Sequence, residues 1–234
     1  MKHDTPTVRI LVWDLPLRIF HWLLAITFTG AFLTAESERW RDIHVMLGYT
    51  MLALVAFRVV WGFLGTRHAR FASFLYGPAR VCAYLRSLAS KRPAHYTGHN
   101  PAGSWAIYAL LGCAAAAGVT GLALYNEIGG RWVEHWHEFI ANSMLAIVAV
   151  HIVGVAAGSF LHRENLVRAM LTGYKSGAAG DAIGGPRRVV AVLLVAAIVG
   201  LWTGVVPTPG LESVAAMMPV KAGAPAPAYT EHRP

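Results

Sequence analysis

The stretch HEFIANSMLAIVAVHIVG, His137 to Gly154, carries two histidines in a predominantly apolar run long enough to lie in a bilayer. His137 and His151 are fourteen residues apart, about four helical turns, so they share one helix face at an axial separation of roughly 21 Å. Ala141, Met144 and Val148 fall between them on that face and leave it apolar. Ionisable side chains inside a membrane are costly and mark functional sites by default. Two on one face predict two stacked sites, one toward each membrane surface.

The rest of the chain supports a membrane setting. Of its 234 residues 56% are hydrophobic and 14% charged, against about 25% charged in a soluble domain. The net charge of +8 lies in the segments between apolar runs and forms no basic helix face, which argues against a nucleic-acid binder. Cys82 and Cys113 stand in different segments and there is no Cys-x-x-Cys-His, which excludes covalent haem attachment and a disulfide framework. The N-terminal apolar run lacks a small-x-small cleavage site and reads as a span rather than a signal peptide.

Five spans are expected: 17–35, 43–64, 104–124, 136–160 and 188–206, each near the ~20 residues that cross ~30 Å of hydrocarbon. The domains follow as a membrane domain over 1–175, a Gly/Ala-rich linker at 176–187, a fifth span at 188–206 and a Pro/Ala-rich external tail at 207–234 that composition marks as disordered. Residues 65–103 carry six Arg or Lys and no acid, with an interfacial helix expected in SFLYGPARVCAYLRSL. In GHNP, Asn100 is placed as an N-cap and Pro101 in the first turn of the third span. The fold class is therefore all-α and membrane-integral, a four-helix bundle plus a fifth C-terminal helix. Lys and Arg concentrate in the N-terminus and in the 65–103 and 161–187 loops, which places the N-terminus in the cytoplasm and the C-terminus outside. The eight tryptophans lie near span ends, as an aromatic belt requires.

Orientation gives each histidine a depth. His21 begins an outward-running helix and His44 an inward-running one; His137 lies outside and His151 deeper. Matching depths pairs His44 with His137 and His21 with His151. Zinc usually takes four protein ligands, or three and water, more than two imidazoles supply. An iron porphyrin brings four nitrogens of its own and needs two axial imidazoles, so two bis-histidine haem b groups fit. Gly48, one turn after His44, leaves room beside it. Arg58, fourteen residues after His44, falls near the inner level as a partner for a haem propionate; the alternative is snorkelling to the surface. His135 reads as interfacial, and the loop histidines His68, His95, His99 and His162 as solvated.

The segments VWDLPLRIFHW, HVMLGYTMLALVAFRVVWGFLG, GHNPAGSWAIYALL, HEFIANSMLAIVAVHIVG and HRENLVRAMLTGYK together resemble the bacterial cytochrome b561 family, which includes cytochrome b subunits of nickel–iron hydrogenases. The resemblance covers about residues 10–175 and implies a four-helix, two-haem arrangement with ligand roles for His21, His44, His137 and His151. It implies electron relay between the quinone pool and a periplasmic cytochrome c or hydrogenase-like subunit in the bacterial inner membrane. Two alternatives stay open on the sequence: a superoxide:quinone oxidoreductase acting without a partner, and a non-haem transporter or proton path using the same histidines. The expected partners are the membrane, quinone, an external redox subunit and a second copy of the chain, and not nucleic acid. No acid–base dyad, nucleophile or nucleotide loop is visible, so no catalytic residue is assigned.

Overall fold

A computed structural model describes residues 8–88, 90 and 94–206; the expected tail at 207–234 lies outside the described residues. Four helices are long and apolar enough to cross a membrane: α1 (Leu15–Thr34), α2 (Arg41–Leu64), α4 (Pro101–Tyr125) and α5 (Gly130–Leu161). A short amphipathic α3 (Pro78–Leu88) lies between α2 and α4, α6 (Leu166–Thr172) follows α5, and α7 (Arg188–Trp202) closes the described chain. Three of them, α1, α4 and α6, begin at a capping side chain. The Asp14 side chain caps α1 by accepting from Leu17 N at 2.9 Å, and Asn100 caps α4 by accepting from Gly103 N at 2.7 Å, with Pro101 in the first turn. Asn165 does the same for α6.

The bundle is built by α1 against α2, α2 against α4 and α4 against α5. Gly118 lets α4 close onto α2, since a Cβ there would run into the Leu52 side chain. At the bundle's middle, Phe28, Met51, Val55, Ala114, Ala117 and Met144 form one buried cluster. Met144 is thus the point where α5 reaches the other helices, on the face between its two histidines. The helix α5 is 32 residues long, about 48 Å. That exceeds the hydrocarbon thickness and carries exposed Trp132 and Trp136 beyond it.

Three expectations need correction. The fold is not purely helical: β1 (Val8–Leu11) pairs antiparallel with β2 (Tyr174–Gly177), Val8 opposite Gly177 and Leu11 opposite Tyr174. The pairing works because α6 ends at Gly173 with φ of 88°. The Gly173 carbonyl accepts from both Val12 N and Trp13 N, at 2.9 and 3.1 Å. Second, the fifth helix stops at Trp202 rather than 206. Thr203 turns its hydroxyl back onto Val199 O at 2.9 Å, Gly204 takes φ of 73°, and Val206 N closes onto Gly200 O. Fifteen residues span only about 22 Å. This helix lies on α1 and α2, starting beside Leu15, whose N–H donates to Pro186 O at 3.0 Å. It ends where Trp202 Nε1 donates to Thr50 Oγ1 at 3.0 Å. Third, Trp13 and Trp61 are core residues, 6% and 9% exposed, and not part of a belt.

The connections divide by length. The short ones, 35–40 and 126–129, share one end of the bundle, and the sheet, α3, α6 and the long loops form a folded cap on the other. Within that cap, the fully buried Asp14 carboxylate accepts from Trp61 Nε1 at 3.1 and 3.2 Å and from Thr66 Oγ1. The start of α1 is thereby pinned to the end of α2. Lys175, 6% exposed, meets Glu164 at 3.2 Å and donates to Tyr96 O at 3.2 Å. Burial alone would push the Glu164 carboxyl up, but the bond to His95, the Lys175 charge and the Ser176 N–H outweigh it and hold it low.

Stranding a buried donor costs about 1–3 kcal/mol, and Asp14→Ala strands donors from Leu17, Trp61 and Thr66. Its expected effect is a loss on the order of 3 kcal/mol, seen as a lower melting temperature in detergent. An unaltered melting curve would mean that Trp61 and Thr66 find other acceptors.

Candidate functional site

The four intramembrane histidines sit on three helices: His21 on α1, His44 on α2, and His137 and His151 on α5. The structure brings them together two by two. The rings of His44 and His137 are 6.2 Å apart between centroids, those of His21 and His151 6.5 Å. Two imidazoles bound to opposite sides of one metal, at the ~2.0–2.1 Å of zinc–imidazole bonds, have centroids roughly 6 Å apart. Both pairs therefore fit axial coordination of a single ion. Among the described residues no group of three or more His, Cys, Asp or Glu converges, so each level offers two protein ligands and suits a metal that brings its own equatorial set.

The pair nearer the short connections, His44 and His137, here termed the outer pair, is oriented by hydrogen bonds to neighbouring helices. His44 Nδ1–H donates to Ala31 O of α1 at 2.8 Å. His137 Nδ1–H points at Ala117 O, 3.1 Å, and Thr120 Oγ1, 3.0 Å, on α4; the Thr120 hydroxyl is free to accept because its proton goes to Ala116 O at 2.8 Å. With Nδ1 so engaged, Nε2 of each ring is the atom left to face a metal, and such bonds orient metal-binding imidazoles. Gly121 makes this placement of His137 possible: a Cβ there would lie 3.1 Å from the ring. Beside the histidines there is space, since a Cβ on Gly48 or on Gly154 would meet nothing within 4 Å.

The inner pair lacks such bonds. His21 Nδ1 is buried without a partner, and the ring is set against Trp22 at 5.1 Å, edge to face. Arg58 is 1% exposed on α2, its Nη1 also without a partner, and its guanidinium lies over Phe71 at 4.7 Å and Phe74 at 5.8 Å. It is held inside and does not snorkel to solvent.

Two loop histidines depart from the solvated reading. His68 is 8% exposed, with Nε2 donating to Asp181 O at 2.8 Å. The ring of His99 lies between Trp13 and Phe74, at 4.6 and 4.5 Å. The signal available for His99 was its place next to the Asn100 cap, which ties it to the start of α4. Thr120 and Gly121 are seventeen and sixteen residues before His137 and gave no local signal.

Paired imidazoles facing each other inside a membrane bundle, with open space beside them, define the class of membrane-integral haem proteins. Residues 12–173 match the family model of prokaryotic cytochrome b561, and the chain belongs to that family. At 26% identity it resembles the probable Ni/Fe-hydrogenase B-type cytochrome subunit of Azotobacter vinelandii, over 71% of this chain and 88% of that protein. The probable subunit of Rhodobacter capsulatus is 25% identical, over 75% and 86%. The probable Ni/Fe-hydrogenase 1 B-type cytochrome subunit of Escherichia coli (strain K12) is 24% identical, over 70% and 90%. No solved structure gives a significant match. The protein is a membrane b-type cytochrome of electron transfer, and its cofactor is haem b.

Because the Gly121 Cα faces the His137 ring, Gly121→Leu should impair haem retention about as strongly as His137→Ala, measured by pyridine haemochrome on purified protein. Gly180→Ala, whose Cβ meets nothing within 4 Å, is the control expected to retain its haem. Full retention in Gly121→Leu would show that the His137 ring need not stand where it does.

Proposed function

We propose that the chain is a di-haem cytochrome that relays electrons across the bacterial inner membrane between the quinone pool and a periplasmic redox partner, a cytochrome c or a hydrogenase-like subunit. The observation that carries this reading is the pair of facing imidazoles at each of two levels, 6.2 and 6.5 Å between centroids. His44 and His137 hold the outer haem, His21 and His151 the inner, and Arg58 offers its cation to an inner propionate. Bound haem supplies the one-electron chemistry.

The protein's part is position and insulation. His137 and His151 ride on one helix about four turns apart, which keeps the separation of the levels constant. Met144, Phe28 and Met51 fill the space between and exclude water. The hydrogen bonds from His44 and His137 to Ala31 and Ala117 fix the outer rings and make those ligands more basic, which favours the oxidised metal. The inner rings lack that support, so the two levels differ in potential.

The capped end carries Arg67, Arg70, Arg80, Arg86, Arg163, Arg168, Lys175 and Arg187. By the rule that cytoplasmic loops are positive, this end faces the cytoplasm and the short loops face the periplasm. The helix α7 then crosses toward the periplasm as a fifth span, its 15 helical residues extended by residues 203–206. The hydrogenase B-type cytochrome subunits among its relatives support a redox enzyme subunit as the partner on the periplasmic side.

The test is a dithionite-reduced minus oxidised spectrum with pyridine haemochrome quantification. Two b-type haems per chain are expected in the wild type. His21→Ala and His151→Ala should each remove the same haem, and His44→Ala and His137→Ala the other. A different pattern of loss, or one haem per chain in a well-folded preparation, would refute the di-haem arrangement.

A further inference from the structure

Arg58 is a buried cation on α2, 1% exposed. None of the ion pairs among the described residues includes it, and its Nη1 is buried without an acceptor. The negative charge of Asp14 acts on it from nearby, but that carboxylate accepts from Leu17 N, Trp61 Nε1 and Thr66 Oγ1 and gives Nη1 no acceptor. The faces of Phe71 and Phe74 supply cation–π attraction of about 2 kcal/mol at best when desolvated, less than the several kcal/mol that burying an uncompensated ion costs. Lys175, buried in the same cap, has its carboxylate at 3.2 Å. By contrast, the buried Arg58 Nη1 has no acceptor among the described residues.

His99 poses the same question from another element. Its ring is wedged between Trp13 and Phe74, and its Nδ1 is buried without a partner. Phe74, 1% exposed, is a wall common to both residues. Burial, with the charges of Arg58, His68, Lys175 and His151 adding, pushes His99 down to about 3. The ring is therefore neutral, and as its Nδ1–H tautomer it offers one donor beside Arg58, since both lie against Phe74. Two stranded donors from two elements, fixed by ring packing beside the inner level, match an oxyanion with two acceptor atoms. Trp13, Arg58, His68 and Phe74 are themselves buried, which favours an anion carried by a group already inside the bundle over one from bulk solvent.

We infer that Arg58 and His99 jointly bind one carboxylate, a propionate of the haem held by His21 and His151. The inference rests on the di-haem reading above. Arg58 supplies the charge and one N–H, and His99 a second N–H from Nδ1. Together they place a compensated carboxylate under the cap and make the inner haem easier to reduce than an unpaired propionate would.

The full chain in nanodiscs, carrying haem labelled with carbon-13 at the propionate carboxyls, is compared with Arg58→Leu, His99→Leu and His99→Asn. Reduced-minus-oxidised infrared spectra read the labelled carboxylate bands directly, and a redox titration reads each haem. The expected result is a shift of an isotope-sensitive band in Arg58→Leu and in His99→Leu. The inner reduction constant should fall about tenfold, ~59 mV for one electron, with the outer haem unmoved. His99→Asn, which restores a donor near the Nδ1 position, should recover the wild-type band and potential. Loss of the inner haem in His99→Leu but not in His99→Asn carries the same meaning. Isotope-sensitive bands unchanged in both Leu variants, or His99→Asn behaving as His99→Leu, overturn the clamp while leaving two haems in the wild type. A wild type without the inner haem overturns the di-haem reading itself, and the clamp with it.

Discussion

The Asp14 carboxylate is the fixed point of this molecule. It joins the first turn of α1 to the last turn of α2 through Trp61 and to the following loop through Thr66. Two antiparallel helices can slide along one another at small cost if only apolar side chains meet. A buried carboxylate with three matched donors forbids that slide, because any displacement strands several polar groups where there is no water. Registry follows by counting: His21 lies seven residues into the bundle from Asp14, and Arg58 three residues short of Trp61. Both are thereby fixed near the inner level. A ligand pair contributed by different helices depends on such a registry more than on helix stability.

The two levels are supported differently. At the outer one, helix backbone carbonyls of Ala31 and Ala117 receive the imidazole protons, which a membrane helix can offer because its carbonyls remain acceptors after the helical bond is made. At the inner one, support comes from the cap: Trp13 and Phe74 around His99, Phe71 under Arg58, Trp22 against His21. The outer level is thus built by the bundle alone. The inner level requires the sheet, the loops and the bundle to be assembled together, and its side chains are scattered from Trp13 to His151.

That difference decides what the sequence could reveal. Spans, caps at Asn100 and the depths of four histidines follow from helix periodicity and from loop charge, both local properties. The pairing of histidines needed only those depths. The strands VRIL and YKSG are four residues each and find one another across more than 160 positions, so no local pattern announces them. His68, His99, Trp13 and Trp61 were read by their neighbours in sequence as loop or interface residues. His68, Trp13 and Trp61 are buried, and His99 half-buried between Trp13 and Phe74, because the cap folds over them, a tertiary event without a periodic signature. The fifth helix was overextended for a related reason: Val205 and Val206 continue the apolar run, while the left-handed Gly204 that ends it is a backbone property that composition does not show.

The cap also explains why the charge of the chain is arranged as it is. A row of arginines at the mouth of a bundle would suffice to orient it in a membrane, and exposed ones such as Arg70 and Arg80 need no further reason. Arg58 cannot serve that purpose, because orientation is read from loops and it lies within α2, closed off from water. A helix that had only to span would gain several kcal/mol by carrying leucine there. Its buried place over two aromatic faces, with no acceptor for Nη1 among the described residues, is what the proposed propionate would explain. The inner level is where the proposed cofactor would bring one.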